Sequence, residues 1–154
     1  RIVQAEVKTL TAVDFDPVFI EDVRKRMLPR WQFNVLVHDL LDGPVPGKFD
    51  GLFALDVLEH IEPKSERAFL SNCFASLTEH GAAIIGMPSL ESQAYASPAS
   101  KAGHVNCKSM PELRELMLGY FHNVFMFSMN DEVVHTGHHK MAHYLWAVGA
   151  GVRR

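Results

Sequence analysis

FDGLFALDVLEHIEP, residues 49–63, carries the reading of this chain. Its apolar run, with Phe49, Leu52, Phe53, Ala54 and Leu55, is the pattern of a strand buried on both faces. The run empties into a polar cluster of Asp56, Glu59 and His60. Residues three and four apart share a helix face, so a helix opening at Asp56 would point all three side chains the same way. In open parallel sheets ligands bind beyond the carboxyl ends of the strands, which is where this cluster falls.

Working outward, the neighbouring segments repeat a strand-and-helix rhythm. VKTLTAV (residues 7–13) reads as a buried strand, ended by DFDP. Asp16 then offers an N-cap, Pro17 suits the first helical position, and Ile20, Val23 and Met27 recur at helical spacing up to Pro29. QFNVLV is a second strand and HDLLDGPVPG a loop. Residues 64–77 predict an amphipathic helix with Phe69, Leu70, Cys73, Phe74 and Leu77 on one face, Gly81 just past its end and His80 at its C-terminus. AAIIGMP is a further strand, and the polar stretch of residues 89–109 reads as a long loop without regular structure. A helix over residues 111–119 leads to two last strands, NVFMFSM and MAHYLWAV. Strands alternating with helices predict an α/β fold with a mostly parallel sheet, and the last two strands, with no helix between them, an antiparallel pair at one edge.

The totals exclude several classes. A chain of 154 residues is about one domain, here residues 1–154, and 47% hydrophobic with 21% charged residues is an ordinary globular composition. A formal net charge of -3 gives no footprint for a nucleic-acid backbone, so no nucleic-acid partner is expected. No apolar run reaches the roughly 18 residues of a membrane span. Cys73 and Cys107 sit in unrelated contexts and read as free thiols, which suits a cytoplasmic protein.

Acidic residues fall at successive strand ends: Asp14, Asp39 and Asp56. A carboxylate after the first strand can accept from two adjacent ribose hydroxyls, and one after the second from an adenine amino group. Taken singly, each reads as a turn or capping residue.

In this order and spacing, LTAVDFDPVFI, VHDLLDG, FDGLFALDVLEHIEP and LTEHGAAIIGMPS resemble the second to fifth motifs of class I S-adenosylmethionine-dependent methyltransferases. The resemblance is close over residues 7–89. FD, five residues and then DVLEH is similar to the branch that includes small-molecule O-methyltransferases. The resemblance implies a Rossmann-like sheet in which Asp14 binds the ribose hydroxyls and Phe15 packs near the adenine. Asp39 and the backbone at Leu40 would hold the adenine edge, and Leu55 and Asp56 would line the methyl-donor pocket. It also implies transfer of the sulfonium methyl to an oxygen or nitrogen nucleophile of a small molecule, with His60 and Glu59 as catalytic candidates and His60 as base. The family's glycine-rich turn should lie just upstream of Val7, where RIVQAE has no glycine. The expectation is therefore a partial domain lacking its first strand, glycine loop and adjoining helix, with unpaired neighbours left exposed.

DVLEH followed by GHVN is also similar to an arrangement in small-RNA 2′-O-methyltransferases and some ubiquinone-pathway O-methyltransferases. The resemblance implies a divalent metal on Asp56, Glu59, His60 and His104, although Asp56 stands where that family usually has Glu. Oxygen and imidazole donors suit magnesium, manganese or zinc. Many relatives with LEH use no metal, and the alternative is a metal-free acid–base pair. The second histidine group, His135, His138, His139 and His143, lacks the Glu of a zinc protease and reads as a loop over the acceptor pocket. Asn130, Asp131 and Glu132 between the last strands are expected either to shape the acceptor site or to form a solvated turn.

Two other classes fit parts of the sequence. A nicotinamide-dependent oxidoreductase would also place an Asp such as Asp14 after a strand, but it leaves Asp39 and DVLEH without a role. A non-catalytic remnant or interaction module would keep the fold without the cofactor.

Overall fold

The chain is described over residues 2–153 by a computed structural model. A short helix, α1 (Ile2–Glu6), leads to β1 (Leu10–Asp14), α2 (Pro17–Arg26) and β2 (Phe33–Val37). β1 and β2 pair parallel, Leu10 against Phe33 and Asp14 against Val37. The local sequence dictates α2: the Asp16 carboxylate accepts from the Val18 N–H at 2.8 Å, Pro17 occupies the first turn, and Arg24, Lys25 and Arg26 meet the negative end of the helix dipole. Ile20 is its one buried residue.

The rest of the described chain builds a second sheet. In chain order it comprises β3 (Phe49–Leu55), α3 (Glu66–Ala75), β4 (Leu77–Pro88), α4 (Pro98–Gly103), α5 (Met110–Leu118), β5 (Phe121–Asn130), β6 (Val133–His135) and β7 (Tyr144–Val152). The strand order is β3-β4-β7-β5-β6, with β3 and β4 parallel and the remaining pairs antiparallel. This is the α/β arrangement expected, with one difference in its antiparallel part. β7 returns between β4 and β5, and β6 forms the edge. A paired centre hides β7's polar backbone, and the short β6 forms the edge at that end of the sheet.

Helices α3 and α5 contribute Phe69, Leu70, Cys73 and Phe74, and Leu113 and Met117, to a core built on Ala83, Ile85 and Met87 of β4 and Leu145 and Ala147 of β7. Each large side chain so buried stabilises the fold by roughly 1.5–3 kcal/mol before its entropy cost. Phe74 meets Phe121 edge-on at 4.8 Å. Gly149 makes room for that ring: a Cβ there would lie 2.5 Å from Phe121 Cδ2.

Among the described residues no strand lies between β1 and β3. A cavity of about 370 Å³ separates them, lined by residues 9–13, residues 51–55 and the side chains of Leu40, Val57 and Phe69.

Four local expectations are corrected. The first strand begins at Leu10, with Val7 before it. The helix expected to run to Leu77 ends at Ala75, and β4 starts at once, so Gly81 and the exposed His80 lie in a strand and not at a helix end. Residues 89–109 are not structureless: a 3-10 turn (Glu91–Tyr95) and α4 occupy them. His143 precedes β7, its N–H donating to Asn130 Oδ1 at 2.9 Å.

Candidate active site

The ends of β1 and β2 present Asp14 and Asp39. Each carboxylate spends one oxygen on a local turn: Asp14 Oδ1 accepts from the Asp16 N–H, and Asp39 Oδ1 from the Leu41 N–H, both at 2.8 Å. The His38 N–H donates to the Asp14 carbonyl at 2.9 Å, so the loop after β2 is fastened beside the end of β1. Asn72 of α3 donates to the Leu40 carbonyl at 2.7 Å and holds the rest of that loop. Phe15 is 73% exposed, a large aromatic surface without a packing partner of its own size.

Asp56 follows β3 with φ of 55°, in the left-handed region that Asp tolerates better than most residues. Its N–H lies 3.1 Å from the Gly86 carbonyl and 3.2 Å from the Tyr144 hydroxyl oxygen. The Tyr144 ring crosses β4 where a side chain would block it: a Cβ on Gly86 would stand 2.9 Å from Tyr144 Cε1 and 2.8 Å from Leu55 Cδ2. Burial, then the Asp56 charge, pushes the Tyr144 hydroxyl's pKa above its ordinary value, so it stays protonated.

The expected helix at DVLEH is a single 3-10 turn, Leu58–His60. With Asp56 left-handed before it, the three polar residues do not share a helix face. Leu58 is buried in the core and anchors the turn, and Glu59 beside it is fully buried. Both Glu59 carboxylate oxygens lack a hydrogen-bond partner. Burial chiefly raises its pKa, against the opposing pull of its own backbone N–H dipole and of His60. His60 Nε2 lies 3.9 Å from Glu59 Oε1, and His60 Nδ1 is 2.9 Å from the Gly103 carbonyl. Since a carbonyl only accepts, Nδ1 carries a hydrogen, and in the neutral ring Nε2 holds the lone pair.

His104 follows directly on α4, whose start is set by Pro98 and by Ser97 Oγ accepting from the Ser100 N–H. One short helix therefore positions both histidines: Gly103 holds His60, and the next residue is His104. The two rings stand edge to face at 5.1 Å. Donor atoms of Glu59, His60 and His104 all lie within 4.8 Å of one another, the only such group among the described residues.

Of the four metal ligands expected from the sequence, the structure brings together three, and Asp56 stands outside the group. The histidines from 135 to 143 form no second group. His138 and His139 sit with ring centres 5.7 Å apart, and His135 Nδ1 accepts from the Gly137 N–H.

Sequence reasoning missed the residues that hold the group in place. Asn106 is buried; its N–H donates to the Glu59 carbonyl at 3.0 Å and its side-chain amide to Glu66 Oε2 at 2.8 Å. Lys108 pairs with the same carboxylate at 2.7 Å. Half-buried pairs of this kind fix geometry more than they add stability. Neighbouring Cys107 is inert: burial, then the Glu59 charge, pushes its thiol up to about 11.

Residues 1–81 match the sequence model of the methyltransferase domain family, and the chain belongs to that family. The fold extends the match over nearly the whole chain. The methyltransferase domain of bacterial CtHen1 superposes with a TM-score of 0.76 at 15% identity, over 97% of this chain and 80% of the other. N-methyltransferase NodS from Bradyrhizobium japonicum WM9, in complex with S-adenosyl-L-homocysteine, gives 0.64 at 17%, over 94% and 67%. DhpI, in its SAM–HEP complex, gives 0.66 at 18%, over 95% and 68%. No curated protein sequence matches the chain. In family and fold it is a class I S-adenosylmethionine-dependent methyltransferase.

Proposed function

We propose that the chain transfers a methyl group from S-adenosylmethionine to an oxygen or nitrogen nucleophile of a small molecule, at the Glu59, His60 and His104 group. Asp14 and Phe15 take the ribose and adenine, Asp39 and the Leu40 backbone the adenine edge, and Leu55 and Asp56 the methyl-donor end. Their support is position: the two carboxylates stand at adjacent strand ends with one oxygen each uncommitted to the local turns. NodS, similar in fold, is by name an N-methyltransferase held with S-adenosyl-L-homocysteine, and DhpI, also similar in fold, is held with SAM. The two free thiols, Cys73 and Cys107, support a cytoplasmic setting.

His60 is the base. Its Nε2 lone pair is directed by the Nδ1 bond to Gly103, and the ring is half-exposed, open to an acceptor's proton. The observation that carries the site is Glu59, a fully buried carboxylate whose two oxygens have no partner. Such a group stays neutral or needs a positive charge beside it.

That same observation favours a second reading, in which Glu59, His60 and His104 hold a divalent cation. One carboxylate and two imidazoles suit manganese, magnesium or zinc, and a bound ion would lower the pKa of an acceptor hydroxyl. Methyl transfer to a panel of phenols, alcohols and amines, with and without chelator, separates the two. Under the cation reading His104→Ala removes activity and divalent-ion dependence together. Full activity in chelator, with loss on His60→Ala, leaves His60 as a metal-free base. Activity indifferent to Glu59, His60 and His104 would overturn the proposed site.

A further inference from the structure

We infer that Gln93 is a positioning residue of this site: it fixes His104 as the Nδ1–H tautomer and leaves Nε2 as the ring's lone-pair nitrogen. The inference rests on the reading that Glu59, His60 and His104 form the working group.

The geometry starts from Ser89, which is fully buried at the end of β4. Gln93, in the 3-10 turn that follows, places its side-chain nitrogen 3.3 Å from the Ser89 carbonyl and 3.3 Å from Ser92 Oγ. A carbonyl oxygen can only accept, so the amide end at Ser89 is the NH2 group and the other end is the oxygen. That oxygen, Oε1, lies 2.9 Å from His104 Nδ1. An amide oxygen can only accept as well, so Nδ1 must carry the hydrogen. The Gly103 carbonyl does the same for His60. Both imidazoles are thereby set to one tautomer, by one backbone and one side-chain acceptor.

In their neutral forms both rings keep an Nε2 lone pair, and with the Glu59 carboxylate, which has a donor atom within 4.8 Å of one from each ring, they offer a cation one carboxylate and two imidazoles. Histidines that bind metals are commonly held in this manner, with the second ring nitrogen donating to an outer partner. Ser89 is itself anchored, its hydroxyl donating to the Ala142 carbonyl at 2.6 Å. Gln93 thus links the end of the sheet to a ring 11 residues further along the chain.

The test reads the tautomer directly. Proton–nitrogen correlation spectra of the imidazole rings, recorded on the uniformly labelled full chain at a pH where the rings are neutral, distinguish Nδ1–H from Nε2–H. The His104 signal is assigned by its loss in His104→Ala. Wild type is expected to show Nδ1–H at His104. Gln93→Leu removes the acceptor and should release the ring to the Nε2–H form that free imidazole side chains favour, while Gln93→Glu keeps an acceptor and should retain Nδ1–H. Manganese binding, read separately, should weaken about tenfold or more in Gln93→Leu. An Nε2–H ring in wild type, or an unchanged Nδ1–H ring in Gln93→Leu, overturns the inference, and the first needs no variant that folds. A chain with the expected tautomers that binds no manganese supports the positioning role and refutes the cation reading alone.

Discussion

The Tyr144 hydroxyl oxygen stands 3.2 Å from the Asp56 backbone nitrogen, joining the antiparallel strand β7 to the turn where β3 ends. This contact holds Asp56 in its left-handed conformation at the point where the donor and acceptor sides of the proposed site meet. It exists because Gly86 leaves β4 bare beneath the tyrosine ring. Gly86→Ala is expected to overpack that crossing and cost roughly 1–3 kcal/mol in chemical denaturation. Tyr144→Phe keeps the ring and loses only the hydroxyl, so its cost should be about 1 kcal/mol. Equal stability of wild type and Gly86→Ala would contradict the close approach.

Glu59 gives a pH dependence with a definite sign. Burial raises its pKa above the ordinary 4.5, so the native chain keeps a proton that the unfolded chain has released. Its contribution is therefore fully present below about pH 4.5 and lost as pH rises through the raised native value. In chelator, wild type should lose stability relative to Glu59→Gln as pH rises above about 4.5, read as urea midpoints. Manganese, which binds the ionised carboxylate, should reverse that loss under the cation reading. Parallel curves for the two proteins would mean that Glu59 finds a partner in solution.

Asn106 ties the His104 segment to the Glu59 turn and to α3. Asn106→Ala removes its bond to Glu66 and leaves Lys108 paired with Glu66 alone, at an expected cost of about 1–3 kcal/mol. Because the segment positions His104, turnover should fall more than acceptor KM rises. A variant with normal turnover and lower stability would make Asn106 purely structural.

Much of the fold was legible because burial and local chemistry agree. At α2, Asp16, Pro17 and Ile20 each point to the same helix. The helix expected over residues 111–119 is α5, which starts one residue earlier because the Glu112 carboxylate accepts from both the Ser109 N–H and hydroxyl. The β4 boundary was not legible, because LTEHG carries polar residues on its exposed face and the preceding helix pattern runs straight into it. In the candidate site, the grouping of Glu59, His60 and His104 followed from a family resemblance. The exclusion of Asp56 did not, because a left-handed residue leaves no periodic signal. Gln93, Asn106 and Tyr144 act through hydrogen bonds to residues 11, 40 and 88 positions away, for which spacing carries no information.

The central claim is a donor site for S-adenosylmethionine at the ends of β1, β2 and β3. Calorimetric titration of the full chain with S-adenosylmethionine and, separately, with NAD tests it most directly. Binding of S-adenosylmethionine alone is predicted, with Asp14→Ala weakening it by roughly ten- to a hundredfold, as expected for hydrogen bonds to a charged group. Binding of NAD in preference, or S-adenosylmethionine affinity unchanged in Asp14→Ala, would contradict it.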